Sequence, residues 1–160
     1  MTEPDASNAY VRLANDDDCV FLSSRLREED LNDLRVHGSE PLEALRLSYD
    51  SSTECYTACG KDHVPFAIFG VCDMYVDGLR LGAIWMLGSD DIIKYVRDFV
   101  QASSAWVDEF GLDRDLLFNF VHKDNKVHIR WLKKLGFSFI ACQTINNETV
   151  FEFARINSNV

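Results

Sequence analysis

At 160 residues, 47% of them hydrophobic and including 11 Phe, 5 Tyr and 3 Trp, the chain has the size and apolar content of one domain with a full core. Its net charge of −10 argues against direct nucleic-acid binding through phosphates, which needs a basic surface. No apolar run reaches the length of a membrane span, and the N-terminus MTEPDASNAY lacks a basic region followed by an apolar one, so the sequence predicts a soluble, intracellular protein without membrane contact.

Tyr10 to Leu13 alternates like a short first strand. Asn15 and the three aspartates after it suit a helix start, because carboxylates favour its positive end. Val20, Phe21, Ser24 and Leu26 begin an apolar face there. Leu31, Leu34 and Val36 mark a second helical piece in EEDLNDLRV, which Gly38 stops. Ser39 and Pro41 open a third, with Leu42, Leu45 and Tyr49 as its stripe. The polar residues of these helices either line an acceptor site or form the exposed half of amphipathic helices; the second reading is preferred.

Glu54 to Cys59 is β-prone, Gly60 to His63 is turn chemistry and Val64 to Val71 is strongly apolar, which together predict a hairpin. Pro65 belongs at a strand start or an edge, since it donates no ladder hydrogen bond. Asp77-Gly78 marks the next turn and Leu79 to Leu87 the next strand, so three successive antiparallel strands form the centre of a sheet. Gly88 to Asp91 begins the longest helix. Ile92, Ile93, Val96, Phe99, Val100, Trp106, Val107 and Phe110 keep its apolar stripe at a period of about 3.6. Leu116 to Val121 reads as a strand buried on both faces. Asn125 caps a helix with Val127, Trp131, Leu132 and Leu135 on one side, and Gly136 ends it. A final pair of strands, Phe137 to Cys142 and Thr149 to Phe153, turns at Asn146-Asn147. The single α/β domain spans residues 10–156, with residues 1–9 and 157–160 as flexible ends.

Cys19, Cys55, Cys59, Cys72 and Cys142 form no CxxC pair, which predicts buried free thiols and neither a disulfide framework nor a zinc site. The acidic groups Asp16–Asp18, Glu28–Asp30, Asp90-Asp91 and Asp108-Glu109 alternate with basic residues and read as solvated faces; imitation of DNA is the lesser reading. His122 follows the apolar strand and His128 lies in the first turn of the next helix. With Asp124 between them they could make a three-ligand set. A loop histidine and a partly buried helix histidine are the favoured reading, and no metal is expected.

Strand, asparagine-capped helix, Gly-Phe, strand resembles the end of a GNAT acetyltransferase domain, with Asn125, Trp131, Gly136 and Phe137 at matching spacing. The resemblance implies a mixed, mainly antiparallel sheet of about seven strands flanked by helices. It also implies that the strand at Leu116 to Val121 splays from the one at Leu79 to Leu87, with coenzyme A in the opening. Met86, Leu87, Gly88, Ser89 and Asn125 are then the cofactor-binding positions. Three departures weigh against activity. Asp90 and Asp91 stand where the family has a glycine-rich basic loop for the pyrophosphate. Leu132 replaces a proton-donating tyrosine, although Tyr95 could arrive from elsewhere. Leu79 to Leu87 holds no carboxylate base, leaving His122 as the catalytic candidate. No cofactor is expected, and acetyl-CoA if the protein is active.

A second resemblance is carried by Arg25-Leu-Arg-Glu-Glu-Asp30, Pro41-Leu-Glu-Ala-Leu45 with Ser48, Phe69-Gly-Val71, Trp85-Met-Leu-Gly88 and His128-Ile-Arg-Trp-Leu132 before Gly136-Phe137. The chain is similar here to the small internal-virion proteins of podoviruses. That implies a bacteriophage protein of the host cytoplasm and the virion, bound to a virion or host protein, with no assured activity. Three functions stand open: a non-catalytic protein-binding GNAT fold, which is favoured; an active acetyl-CoA-dependent N-acetyltransferase; and an acidic anti-host protein.

Overall fold

The computed structural model describes residues 9–156; of the expected loose ends at 1–9 and 157–160, all but Ala9, which packs against the core, lie outside the described residues. In chain order the elements are β1 (Tyr10–Leu13), α1 (Asp16–Ser23), α2 (Glu28–Val36), α3 (Pro41–Ser51), β2 (Glu54–Cys59), β3 (Pro65–Val76) and β4 (Leu79–Gly88). They continue with α4 (Ile92–Leu112), β5 (Leu116–His122), α5 (Lys126–Lys134), β6 (Ser138–Ile145) and β7 (Glu148–Ile156). Local chemistry places most boundaries. Asn15 caps α1 through a reciprocal capping box with Asp18. Asn125 caps α5, and Gly136 follows that helix at φ +88°. Asp77-Gly78 and Asn146-Asn147 turn their hairpins with both residues at positive φ, which matches the twist of the flanking strands.

The seven strands form one mixed sheet in the order β1-β2-β3-β4-β5-β7-β6. Every neighbouring pair is antiparallel except β4 and β5. That parallel pair covers only Leu81–Ala83 against Leu116–Phe118. Beyond it the strands part, and the Asn119 amide donates to the Ile84 carbonyl at 2.9 Å where the ladder stops. The far end of β4, up to Gly88, pairs with β3 alone among the strands.

Two cores lie on opposite faces of this sheet. Phe69, Phe99, Val107, Phe110, Trp131, Leu132 and Phe153 pack under α4 and α5. Cys19, Leu22, Leu45, Cys55, Ile68 and Leu87 pack under the first three helices. Trp131 is central to the larger core. It stacks on Phe99 with ring centroids 5.7 Å apart, and its indole N–H donates to Ser103 Oγ at 2.9 Å.

Four sequence expectations are corrected. β5 is not buried on both faces: Phe118, Asn119 and Phe120 are half-buried, and beyond the parting from β4 Asn119 and Phe120 face a cavity. Ile93 is 64% exposed and lies off the inner stripe of α4. Asp18 and Asp30 are buried, not solvated, because each meets an arginine: Asp18 takes both ends of the Arg12 fork at 2.8 Å, and Asp30 pairs with Arg27. Of the five free thiols, Cys19, Cys55 and Cys59 are buried, while Cys72 is half-buried and Cys142 exposed on β6. Burial pushes the Cys55 thiol up to about 12.

The Trp131 packing sets a first expectation. Trp131→Ala should destabilise the fold by about 3–5 kcal/mol, the range for truncating a buried aromatic. Urea unfolding measures this, and an unchanged midpoint would mean that the inner face of α5 is misassigned.

Candidate functional site

Among the described residues the sheet opens where β4 and β5 part, and α2 lies across that opening. Arg27, Asp30 and Asn125 are all buried there. Asp30 Oδ2 accepts the Gly88 N–H at 2.8 Å, and Asp30 Oδ1 accepts the Asn125 amide at 2.9 Å. One carboxylate thus joins the end of β4 to the cap of α5. Arg27 completes the bridge: its guanidinium donates to both Asp30 oxygens, at 3.0 and 3.2 Å, and to Asn125 Oδ1 at 2.8 Å. The Arg27 N–H donates to the Gly88 carbonyl, and Leu26 and Ser89 form an antiparallel bridge beside it. Burial pushes the Asp30 carboxyl up, while Arg27 and the Gly88 and Asn125 N–H groups act against that shift.

The predicted cofactor positions are all found at this opening, and their polar groups are engaged. Met86 and Leu87 sit in the two cores on opposite faces of β4. The Gly88 N–H goes to Asp30 and the Ser89 N–H to the Phe66 carbonyl. Ser89 Oγ accepts the Asp91 N–H, and the Ser89 carbonyl accepts that of Ile92. The Asn125 amide donates to Asp30 and Asp33, while its oxygen accepts from Arg27 and from the His128 N–H. Asp90 and Asp91 flank the start of α4 as expected, with Lys94 paired to Asp91 at 3.1 Å. Arg25, distant in sequence, shares a surface groove with Asp90 and Asp91. It is held by the Phe21 carbonyl at 2.6 Å and by the Phe21 ring.

Behind the bridge is a cavity of about 120 Å³. Its apolar wall includes Trp85, Met86 and Phe120; its polar wall includes Asp33, Asn119, His122 and His128. The helices after β1 therefore do supply lining residues, among them Asp33 and Ser48. His122 is buried, and both its ring nitrogens are used. Nδ1 accepts the Asp124 N–H at 3.1 Å, which fixes the proton on Nε2, where it meets Glu148 Oε2 at 2.6 Å. So held, His122 has no spare lone pair to take a proton from a substrate. Tyr95 is engaged elsewhere: its hydroxyl accepts the Lys61 N–H and its ring stacks on Phe66. Leu132 is fully buried in the core.

The structure does not assemble His122, Asp124 and His128 into a ligand set. Among the described residues, the compact group is Asp30, Asp33 and His128, whose ligand atoms lie within 4.8 Å of one another. His128 is buried with neither ring nitrogen hydrogen-bonded among the described residues. Burial, with Arg27 nearby, pushes its imidazole down to about 3, so it is neutral at physiological pH. Burial likewise pushes the Asp33 carboxyl up to about 6, against hydrogen bonds from Asn125 and the His122 N–H.

No family model matches the chain, and no curated protein matches it by sequence. Solved structures match over nearly the whole length. Spermidine N-acetyltransferase from Vibrio cholerae, solved with CoA and spermine, superposes with a TM-score of 0.68 at 12% identity, covering 94% of this chain and 96% of that one. A GNAT-family acetyltransferase from Bacillus anthracis gives 0.65 at 10% identity, covering 95% and 96%. A chain of the NatC complex bound to Gag peptide and CoA gives 0.71 at 13%, covering 94% and 99%.

The fold is that of the GNAT acetyltransferases. The seven-stranded, mostly antiparallel sheet agrees with the sequence expectation, and the identities are those of a shared fold. Within this GNAT fold, Asp30 is the residue that sequence reasoning missed. It lies in an EED run that looks solvated, and its partners are 58 and 95 residues away.

Asp33 provides a pH test. A carboxyl whose folded pKa is raised binds its proton more tightly when folded, so its contribution to stability is lost as pH rises through about 4 to 6. Urea unfolding across that window should show wild type losing stability relative to Asp33→Asn as pH rises. Parallel pH profiles for the two proteins would contradict the assigned burial.

Proposed function

We propose that this protein uses the GNAT fold as a binding scaffold and does not carry out acetyl-CoA-dependent transfer. The observation behind this reading is the Asp30 bridge between Gly88 and Asn125. An anion at the start of α4 would need backbone N–H donors and positive potential. Here the N–H groups of Gly88, Ser89 and Asp91 serve internal acceptors, and two carboxylates stand at the helix start. Leu132 offers no proton for a departing thiolate, and His122 has both ring nitrogens committed. The coenzyme bound in the similar structures therefore has no prepared seat in this chain.

The partner in this reading is a protein, either of a bacteriophage virion or of its host, met in the cytoplasm of an infected cell or in the virion. The support is the resemblance of the residue pattern, from Arg25 to Asp30 and from His128 to Leu132, to podovirus internal-virion proteins. The acidic balance supports a protein partner over nucleic acid.

Calorimetric titration with acetyl-CoA tests this. Wild type should give no micromolar binding. Exchanging Asp90 and Asp91 for Gly and Arg should produce binding only when Arg27→Ala and Asp30→Ala are added, since the pair removed together leaves no uncompensated buried charge. Micromolar binding by wild type, with turnover on an amine, would overturn the reading in favour of an active N-acetyltransferase.

A further inference from the structure

The geometry points to a divalent-metal site formed by Asp33 and His128 with Asp30 behind them, open to the cavity between β4 and β5. The ion it would take is a first-row transition metal of the Zn²⁺ or Mn²⁺ kind, since the donors are one imidazole and carboxylate oxygens. Two independent observations carry this. The first is the clustering of three ligand groups within 4.8 Å. The second is His128: a 95%-buried imidazole with no hydrogen bond to either nitrogen, set against two carboxylates. A direct hydrogen bond to either carboxylate is absent, and the spacing suits an atom held between them. Ligands on one such ion sit about 2.0–2.2 Å from it and thus about 3–4 Å from each other, so shortening the widest separations by about 1–2 Å completes the set.

Lone-pair accounting separates the roles. Each Asp30 oxygen already accepts two donors: Arg27 and Asn125 on Oδ1, Arg27 and Gly88 on Oδ2. Asp30 therefore acts mainly as a fixed negative charge, or binds only if its longest contact, Arg27 Nε at 3.2 Å, gives way. Each Asp33 oxygen accepts one donor, the His122 N–H at 2.6 Å or the Asn125 amide at 2.8 Å, and keeps one lone pair for a metal. His128 keeps the lone pair of one nitrogen. The Asn125 and His122 contacts fix the Asp33 orientation, the task of groups that hydrogen-bond to metal ligands.

Charge points the same way. Arg27 is positive, whereas Asp30, Asp33 and Glu148 carry three negative charges when ionised. The carboxylates outnumber the one cation and favour a positive ion at this place. Arg27 opposes a cation placed close to it, which favours the Asp33–His128 side of the group. That side faces the cavity, leaving coordination positions for water or a small ligand.

The test uses chelator-treated full-length protein with Cys142→Ser, which removes the exposed thiol. Zn²⁺ and Mn²⁺ are titrated separately by calorimetry, and Co²⁺ absorption reports the ligand geometry. The expected result is one equivalent bound at micromolar or tighter affinity, weakened at least tenfold by Asp33→Asn and by His128→Leu, with an altered Co²⁺ spectrum. Circular dichroism checks folding, and Asp33→Asn, which keeps the shape and one of the two accepting oxygens, stands alone if His128→Leu does not fold. Binding no tighter than millimolar, meaning water alone serves the site, would overturn the proposal. So would affinity unchanged in Asp33→Asn, meaning a surface site. Neither readout involves acetyl-CoA, so this inference and the scaffold reading fail separately.

Discussion

The buried Arg27–Asp30 pair is the constraint around which the functional half of the molecule is arranged. Two charges are taken out of water, and the pair is tolerable only because nearly every donor and acceptor on it is matched. Asp30 accepts from Gly88, Asn125 and the guanidinium, and Arg27 reaches Asn125 as well. These contacts tie α2 to β4 and α5, elements that are far apart in sequence. They also hold the two sides of the sheet opening in a fixed relation. Removing one partner would strand a charge, so the bridge is cooperative by its electrostatics.

That bridge changes what the opening can do. In a parallel pair of strands that parts, the free backbone of one strand is exposed polar surface and must find partners. Asn119 meets the first such group, the Ile84 carbonyl, and Arg27 and Asp30 meet those of Gly88. The chain thereby satisfies internally much of what a bound cofactor would otherwise satisfy. What is left is the smaller cavity behind the bridge, with the unpartnered His128 and the partly engaged Asp33 on its wall. The cavity wall thus offers a neutral imidazole and a carboxylate.

The fold was largely legible because its signals are local. Asn15 before three aspartates, Asn125 with Gly136, Asp77-Gly78 and Asn146-Asn147 each state a cap or turn within a few residues. The strand of Leu116–His122 was legible as a strand but not in its exposure, because that depends on how far β4 follows it. Gly88, Ser89 and Asn125, singled out from the sequence, lie near one opening, whereas what Gly88 and Asn125 bond to is set largely by α2 and the Arg27 before it. Asp30 in Glu-Glu-Asp and Arg27 among charged neighbours carry no periodic signal of burial. Only the distance of Asp30 from Gly88 and Asn125 in space shows it.

The most direct measurement of the central claim is the amide resonance of Gly88 and the side-chain amide of Asn125, followed by NMR during titration with acetyl-CoA. An Asp30 carboxylate that holds both groups predicts strong protection from hydrogen exchange and shifts unmoved by excess coenzyme. Rapid exchange at Gly88, or saturable movement of both resonances as acetyl-CoA is added, would show that the opening is free to receive the cofactor and would contradict the account.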